Sequence, residues 1–124
     1  MKIPDGHQTI MPYITVEGAE KFIAFLKRVF GAKELLVVHR PEDGSVMHAE
    51  YSIGTSTVML ANATQAYKPS PIVLFIYVEN IDETFHKALK AGAITIEEPA
   101  NKEYGRTGGL KDEFGNIWWL VTPL

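Results

Sequence analysis

Residues 10–16 alternate in the manner of a half-buried strand, with Tyr13, Ile14 and Val16 suited to a pleated surface. The period then lengthens. Ala19, Phe22, Ile23, Leu26 and Val29 recur at helical spacing, and Gly31 follows where a helix end favours glycine. Residues 35–39 are rich in β-formers, 41–45 (Pro-Glu-Asp-Gly-Ser) signal a turn, and 46–53 predict another strand. Gly54-Thr55 reads as a tight turn before a fourth strand over 57–61. Residues 62–71 are polar and carry Pro69 and Pro71, a linker composition. Beyond them the series restarts with an apolar strand over 72–78. Asn80 opens a helix, with Glu83 at capping-box spacing; Ile81, Phe85, Ala88 and Leu89 form its buried stripe, and Gly92 closes it. Strands over 93–97, 106–111 and 117–121 complete the chain.

The two halves share local sequence as well as element order. Val16-Glu17 matches Val78-Glu79, and Phe30-Gly31-Ala32 matches Ala91-Gly92-Ala93 with a one-residue slip. A repeat of this kind predicts an α+β fold of two tandem βαβββ modules. The first module spans about 8–62, a linker 63–71 and the second module about 72–124, within a single domain of 124 residues.

Composition narrows the function classes. The 46% hydrophobic and 22% charged content is ordinary for a globular domain, so a core without covalent staples is expected. Net charge is −3 with both signs interleaved, which leaves no basic stripe for nucleic acid. The absence of cysteine excludes disulfides, thiol catalysis and cysteine–zinc sites. Met1 to His7 lacks the apolar run of a signal peptide, and nothing approaches the length of a membrane span. A cytoplasmic protein without membrane contact is the expectation.

Several segments carry a family resemblance. They are Met11-Pro12-Tyr13-Ile14-Thr15-Val16, Phe30-Gly31-Ala32, Val46-Met47-His48-Ala49-Glu50, Tyr77-Val78-Glu79, Ala91-Gly92-Ala93, Tyr104-Gly105-Arg106 and Asp112-Glu113-Phe114-Gly115-Asn116-Ile117-Trp118. In order and spacing the chain resembles the vicinal-oxygen-chelate (glyoxalase/bleomycin-resistance/dioxygenase) superfamily, in its PhnB-like branch, although Glu113 stands where that branch usually has proline. The resemblance implies that each module curls into half a cup with a helix outside it. It does not fix an activity, because the superfamily spans isomerases, dioxygenases, thiol transferases and drug-sequestering proteins. It also implies four metal-ligand positions, which fall here on Met11, Val73, Met59 and Trp119. None is a hard oxygen or an imidazole, so neither metal nor cofactor is expected.

Strand alternation sorts the remaining chemistry by face. With Met11, Tyr13 and Thr15 toward the cup, the apolar set Met47, Ala49, Tyr51 and Ile53 belongs on the helix side, and His48, Glu50 and Ser52 face the cup. Val73, Phe75, Tyr77 and Trp119 line it from the second module, and Trp118 points the other way into the core. Met11, Tyr13, Met59, Phe75, Tyr77 and Trp119 are therefore candidate ligand contacts around one imidazole and one carboxylate. His48 and Glu50 are candidate acid–base residues, or else lie on a solvated face or a dimer contact. Glu50 is expected to pair with His48 and to take a cationic ligand as its second partner. His7, His39 and His86 read as surface residues. The stretch 104–109 matches neither a P-loop nor a dinucleotide fingerprint and reads as a rim loop presenting Arg106 to an anionic group. Asp112 is expected to bond local backbone at a turn.

These features fit a metal-free protein that binds a small aromatic or cationic molecule. The alternatives are a metal-independent isomerase or lyase using His48 and Glu50, a lactoylglutathione-lyase-like or dioxygenase-like metal enzyme, and a non-catalytic assembly module. Open half-cups leave strand edges and apolar rims uncovered, so a homodimer is also expected.

Overall fold

The computed structural model describes all 124 residues. Its elements follow the repeat: β1 (Tyr13–Val16), α1 (Ala19–Phe30), β2 (Lys33–His39), β3 (Val46–Ile53) and β4 (Ser56–Asn62), then β5 (Val73–Tyr77), α2 (Ile81–Lys90), β6 (Ile94–Lys102), β7 (Gly105–Lys111) and β8 (Ile117–Pro123). They form two mixed four-stranded sheets, ordered β1-β4-β3-β2 and β5-β8-β7-β6. In each, the first and last strands of the module pair in parallel and the other neighbours are antiparallel. The chain divides into two compact units, Met1–Ser70 and Pro71–Leu124.

The registers make the repeat quantitative. Tyr13 pairs with Met59 and Phe75 with Trp119, while Glu50 pairs with Met59 and Gly109 with Trp119. Tyr13 and Phe75 are therefore equivalent, as are Met59 and Trp119, and Glu50 and Gly109.

In the first unit α1 packs on β1, β3 and β4, burying Phe22, Leu26 and Val29 against Ile14, Val16, Ala49, Tyr51 and Leu60. Its first turn has no cap of its own, since Gly18 lies in the left-handed region at φ 87°. The last residue of β4 substitutes: Asn62 Oδ1 accepts from Gly18 N at 3.0 Å and Ala19 N at 2.9 Å. At the other end Gly31 (φ 66°) turns the chain, and its N–H donates to Lys27 O at 3.0 Å. In the second unit α2 packs on β6, β7 and β8, with Ile81, Phe85 and Ala88 buried alongside Leu110, Trp118 and Leu120. Asn80 accepts from Glu83 N at 3.2 Å, as the capping spacing predicts. Thr122 Oγ1, the counterpart of Asn62 by register, accepts from Ile81 N at 2.8 Å.

Three local expectations need correction. The first strand begins at Tyr13 rather than residue 10, because the preceding residues fold into a separate segment and Pro12 has no N–H to pair. β6 runs past residue 97 despite Pro99; it is an edge strand, and the pairing is irregular between Glu97 and Ala100, where the ring is tolerated. Met47 is exposed instead of buried: the register shifts between Val38 and His39, so Met47 is an extra residue and Val46 takes the core position. Residues 63–70 bond to the first unit along the edge of β1, where Ala63 N donates to Val16 O and Ser70 N to Thr15 O.

Candidate functional site

Each sheet has one face under its helix and one face free of it. In the first unit that free face carries Tyr13 on β1, Met59 on β4, and His48 and Glu50 on β3. Because β3 alternates strictly between His48 and Tyr51, the two polar side chains sit together while Ala49 and Tyr51 enter the core. Tyr51 donates to Glu34 at 3.2 Å, and burial, aided by that carboxylate, pushes its phenol up to about 12.

The polar residues are linked end to end. Tyr13 Oη lies 3.2 Å from His48 Nδ1, His48 Nε2 is 2.8 Å from Glu50 Oε2, and His7 Nε2 is 2.7 Å from Glu50 Oε1. The His48–Glu50 pairing is the expected one. The second partner of Glu50 is His7, where a cationic ligand was expected, and His7 is not the free surface residue the sequence suggested. Hydrogen bonds from His48 first, and His7 second, hold the Glu50 carboxyl below its ordinary 4.5. The Glu50 side chain is only 13% exposed, and no lysine or arginine approaches it.

His7 reaches the sheet through a short N-terminal strap. β1 is too short to cover the start of β4, and the side chain of Gln8 completes the pairing. Its Nε2 donates to Thr57 O at 2.8 Å, and its Oε1 accepts from Thr57 N at 3.3 Å, so a carboxamide stands in for a strand's backbone. Thr57 Oγ1 also donates to Gly6 O. No sequence spacing points to this arrangement, because His7 and Glu50 lie 43 residues apart.

The free face of the second sheet is aromatic. Val73, Phe75 and Tyr77 on the edge strand β5 are 64%, 57% and 67% exposed. The rings of Phe75 and Tyr77 meet edge to face at 5.3 Å. Trp119, beside Phe75 in register, lies over Gly109: a Cβ on that glycine would come within 2.4 Å of the indole. The neighbouring Gly108 admits the backbone of Glu97 and Pro99, whose nearest atoms would stand 3.1 Å from a Cβ at that position. The glycines of residues 104–109 thus serve close approach within β7, not a flexible rim loop.

Arg106 therefore has a strand position and not a loop position. It sits on β7, with its guanidinium paired to Asp82 at 2.9 and 3.0 Å and to Asn101 at 3.1 Å. Met11 lies before β1, outside the strand on which it was placed, and its Sδ accepts from Gln8 N at 3.3 Å. Asp112 is buried at the β7–β8 turn and accepts from Phe114 N, Asn116 N, Asn116 Nδ2 and Trp118 Nε1. His39 binds its own turn at Gly44 O, and His86 lies on the exposed side of α2.

The metal implied by the fold does not fit these residues. Two thioethers, a hydrocarbon and an indole occupy the four positions, and none is a donor for a hard divalent ion. The imidazoles that do lie nearby direct their Nε2 atoms at Glu50 itself. An open depression of about 580 Å³ lies at the start of α1, among Glu17, Lys21, Asp43 and Asn62, and includes none of the candidate site residues. No helix is long and apolar enough to cross a membrane.

Comparison with known proteins places this geometry. The family model described as "Glyoxalase/Bleomycin resistance protein/Dioxygenase superfamily" matches residues 7–120. An uncharacterised Mycobacterium bovis protein is 31% identical over 127 residues, covering 93% of this chain and 83% of its own length. Many solved structures share the fold. A Bacillus cereus PhnB protein, described as a putative 3-demethylubiquinone-9 3-methyltransferase, superposes with TM-score 0.72 at 19% identity, over 93% of this chain and 99% of its own. TnmS3, an antibiotic binding protein from Streptomyces sp. CB03234, superposes with TM-score 0.68 at 18% identity, over 95% and 100%.

Proposed function

Since the chain belongs to the glyoxalase/bleomycin resistance/dioxygenase superfamily, we propose that it binds a small aromatic molecule on its free sheet faces, without a metal. The observation that carries this reading is the exposed aromatic surface of the second sheet, Phe75 and Tyr77 with Trp119 beside them. Apolar side chains left in water at this density mark a binding surface. The likeness to an antibiotic binding protein supports the same class, and the likeness to a PhnB protein supports that branch of the superfamily. The aromatic half of the ligand description is the stronger one. Glu50 already has two partners, so a cationic ligand would rely on the faces of Phe75, Tyr77 and Trp119.

The test is a thermal-shift and fluorescence screen with planar aromatic compounds, repeated on Trp119→Ala and Phe75→Ala. Binding is expected in the wild type and weaker by about tenfold in each variant, the scale of one lost aromatic contact. Absence of binding across neutral and cationic aromatics would end this reading. A second reading, acid–base catalysis by a metal-independent isomerase or lyase, is favoured by the hydrogen-bonded array around Glu50. Turnover lost in His48→Ala with binding retained would support it. A cytoplasmic site of action, consistent with the cysteine-free composition, is part of the proposal.

A further inference from the structure

We infer that Tyr13, His48 and Glu50 form one directional hydrogen-bonded chain, met at the carboxylate by His7 from the other side, and that its exposed end, the Tyr13 oxygen, accepts the proton of a weakly acidic hydroxyl ligand, a phenol or an enol. The inference rests on the aromatic-binding reading and specifies the ligand's chemistry at the first unit.

Direction follows from counting protons. A carboxylate can only accept, so the imidazoles 2.7 and 2.8 Å from its two oxygens must each carry hydrogen on Nε2. Both contacts hold the Glu50 carboxyl low, in keeping with the ionised form. A neutral His48 with its hydrogen on Nε2 has a bare lone pair on Nδ1. Tyr13, 3.2 Å away, must then donate its hydroxyl hydrogen inward. What Tyr13 shows outward is only lone pairs. Its side is open to ligand, since the residue is 48% exposed. Around the polar chain the paired residues are apolar, with Met59 and Leu36 flanking Glu50 and Val38 flanking His48.

An oxygen limited to accepting discriminates between ligands that donate and ligands that cannot. A phenol or enol O–H completes the chain, whereas an aryl ether meets it lone pair to lone pair. The same geometry moves a proton. The ligand O–H bond breaks as its proton passes to the Tyr13 oxygen, and the Tyr13 proton passes to His48 Nδ1. The products are a ligand oxyanion and a His48 imidazolium held against the Glu50 carboxylate. No oxidant or reductant is involved, and return of the proton restores the starting state.

The experiment titrates the full chain with 4-chlorophenol and 4-chloroanisole at a pH above the ordinary imidazole value of about 6.5 and below that of the free phenol, following binding by calorimetry and phenol ionisation by its ultraviolet absorbance. Wild type is expected to bind the phenol about tenfold more tightly than the ether, with a phenolate band in the bound state. Tyr13→Phe is expected to lose both the preference and the band while holding the ether unchanged. Nitrogen-15 NMR of the unliganded wild type supplies a readout that needs no variant: His7 and His48 should both carry their hydrogen on Nε2. A His48 proton on Nδ1, equal affinity for the two probes, or a preference that survives in Tyr13→Phe overturns the inference and leaves aromatic binding standing. Failure of both probes to bind overturns the aromatic reading together with the ligand class inferred from it.

Discussion

Glu50 holds two imidazoles with one carboxylate, and this arrangement fixes how the first unit responds to acid. Its carboxyl is depressed below the ordinary 4.5 by the hydrogen bonds from His48 and His7. A group depressed in the folded state contributes stability that is fully present above its unfolded value and is lost as pH falls through the folded value. Glu50→Gln should therefore lower stability by about 1–3 kcal/mol at pH 7, the scale of a charged hydrogen bond. The difference from wild type should vanish well below pH 4.5, which urea denaturation at the two pH values would measure. Gly109 makes the opposite kind of demand, for absence of a side chain. Gly109→Ala would drive a methyl into the Trp119 ring, so the indole must shift; a loss of about 1–3 kcal/mol and a changed tryptophan emission are expected. At this scale the His48–Glu50 pair was legible in sequence, because positions two apart on a strand share a face. His7 was not, since its contact depends on where a distant, irregular segment comes to rest. The stretch 104–109 read as a rim loop because its glycines look like one until the ring and backbone they accommodate are seen.

Among the elements, the helices are secured from outside their own sequence. Asn62 satisfies the first two N–H groups at the start of α1, although it lies 43 and 44 residues away. Asn62→Ala should cost about 1–2 kcal/mol, the scale of a lost helix cap, seen as a lower midpoint in chemical denaturation. The strap tests the strand edge in the same way. Gln8→Ala would release the N–H and C=O of Thr57, and faster amide hydrogen exchange at Thr57 is the expected outcome. Element order, both helices and the βαβββ grouping were readable from periodicity, because amphipathic spacing is a local property. The bulge at Met47 and the passage of β6 through Pro99 were not, because both depend on what the neighbouring strand allows.

For the whole chain, superfamily membership and the fold follow from the repeat together with the match over residues 7–120. Assembly and metal content are matters for measurement. We propose a homodimer, on the grounds that β2 and β6 lie at sheet edges and leave Leu35, Ile94 and Ile96 exposed. Light scattering at micromolar concentration should report twice the 13.8 kDa chain mass. Elemental analysis of untagged protein should find no stoichiometric divalent metal, and chelation should leave its thermal midpoint unchanged, as Met11, Met59, Val73 and Trp119 require.

The register pairing of Glu50 with Gly109 has a further consequence. A tandem duplication begins with twin halves, so each residue of one half has a sibling in the other. At this pair the siblings have diverged to opposite ends of side-chain chemistry, an ionised acid in one half and a bare backbone roofed by an indole in the other. The halves now carry different side chains on their free faces, one a hydrogen-bonded acid with two imidazoles and the other an exposed aromatic surface. They are no longer spare copies of each other: a chain built from two first halves would double the acid and lose the indole, and one built from two second halves would have neither the acid nor its imidazoles.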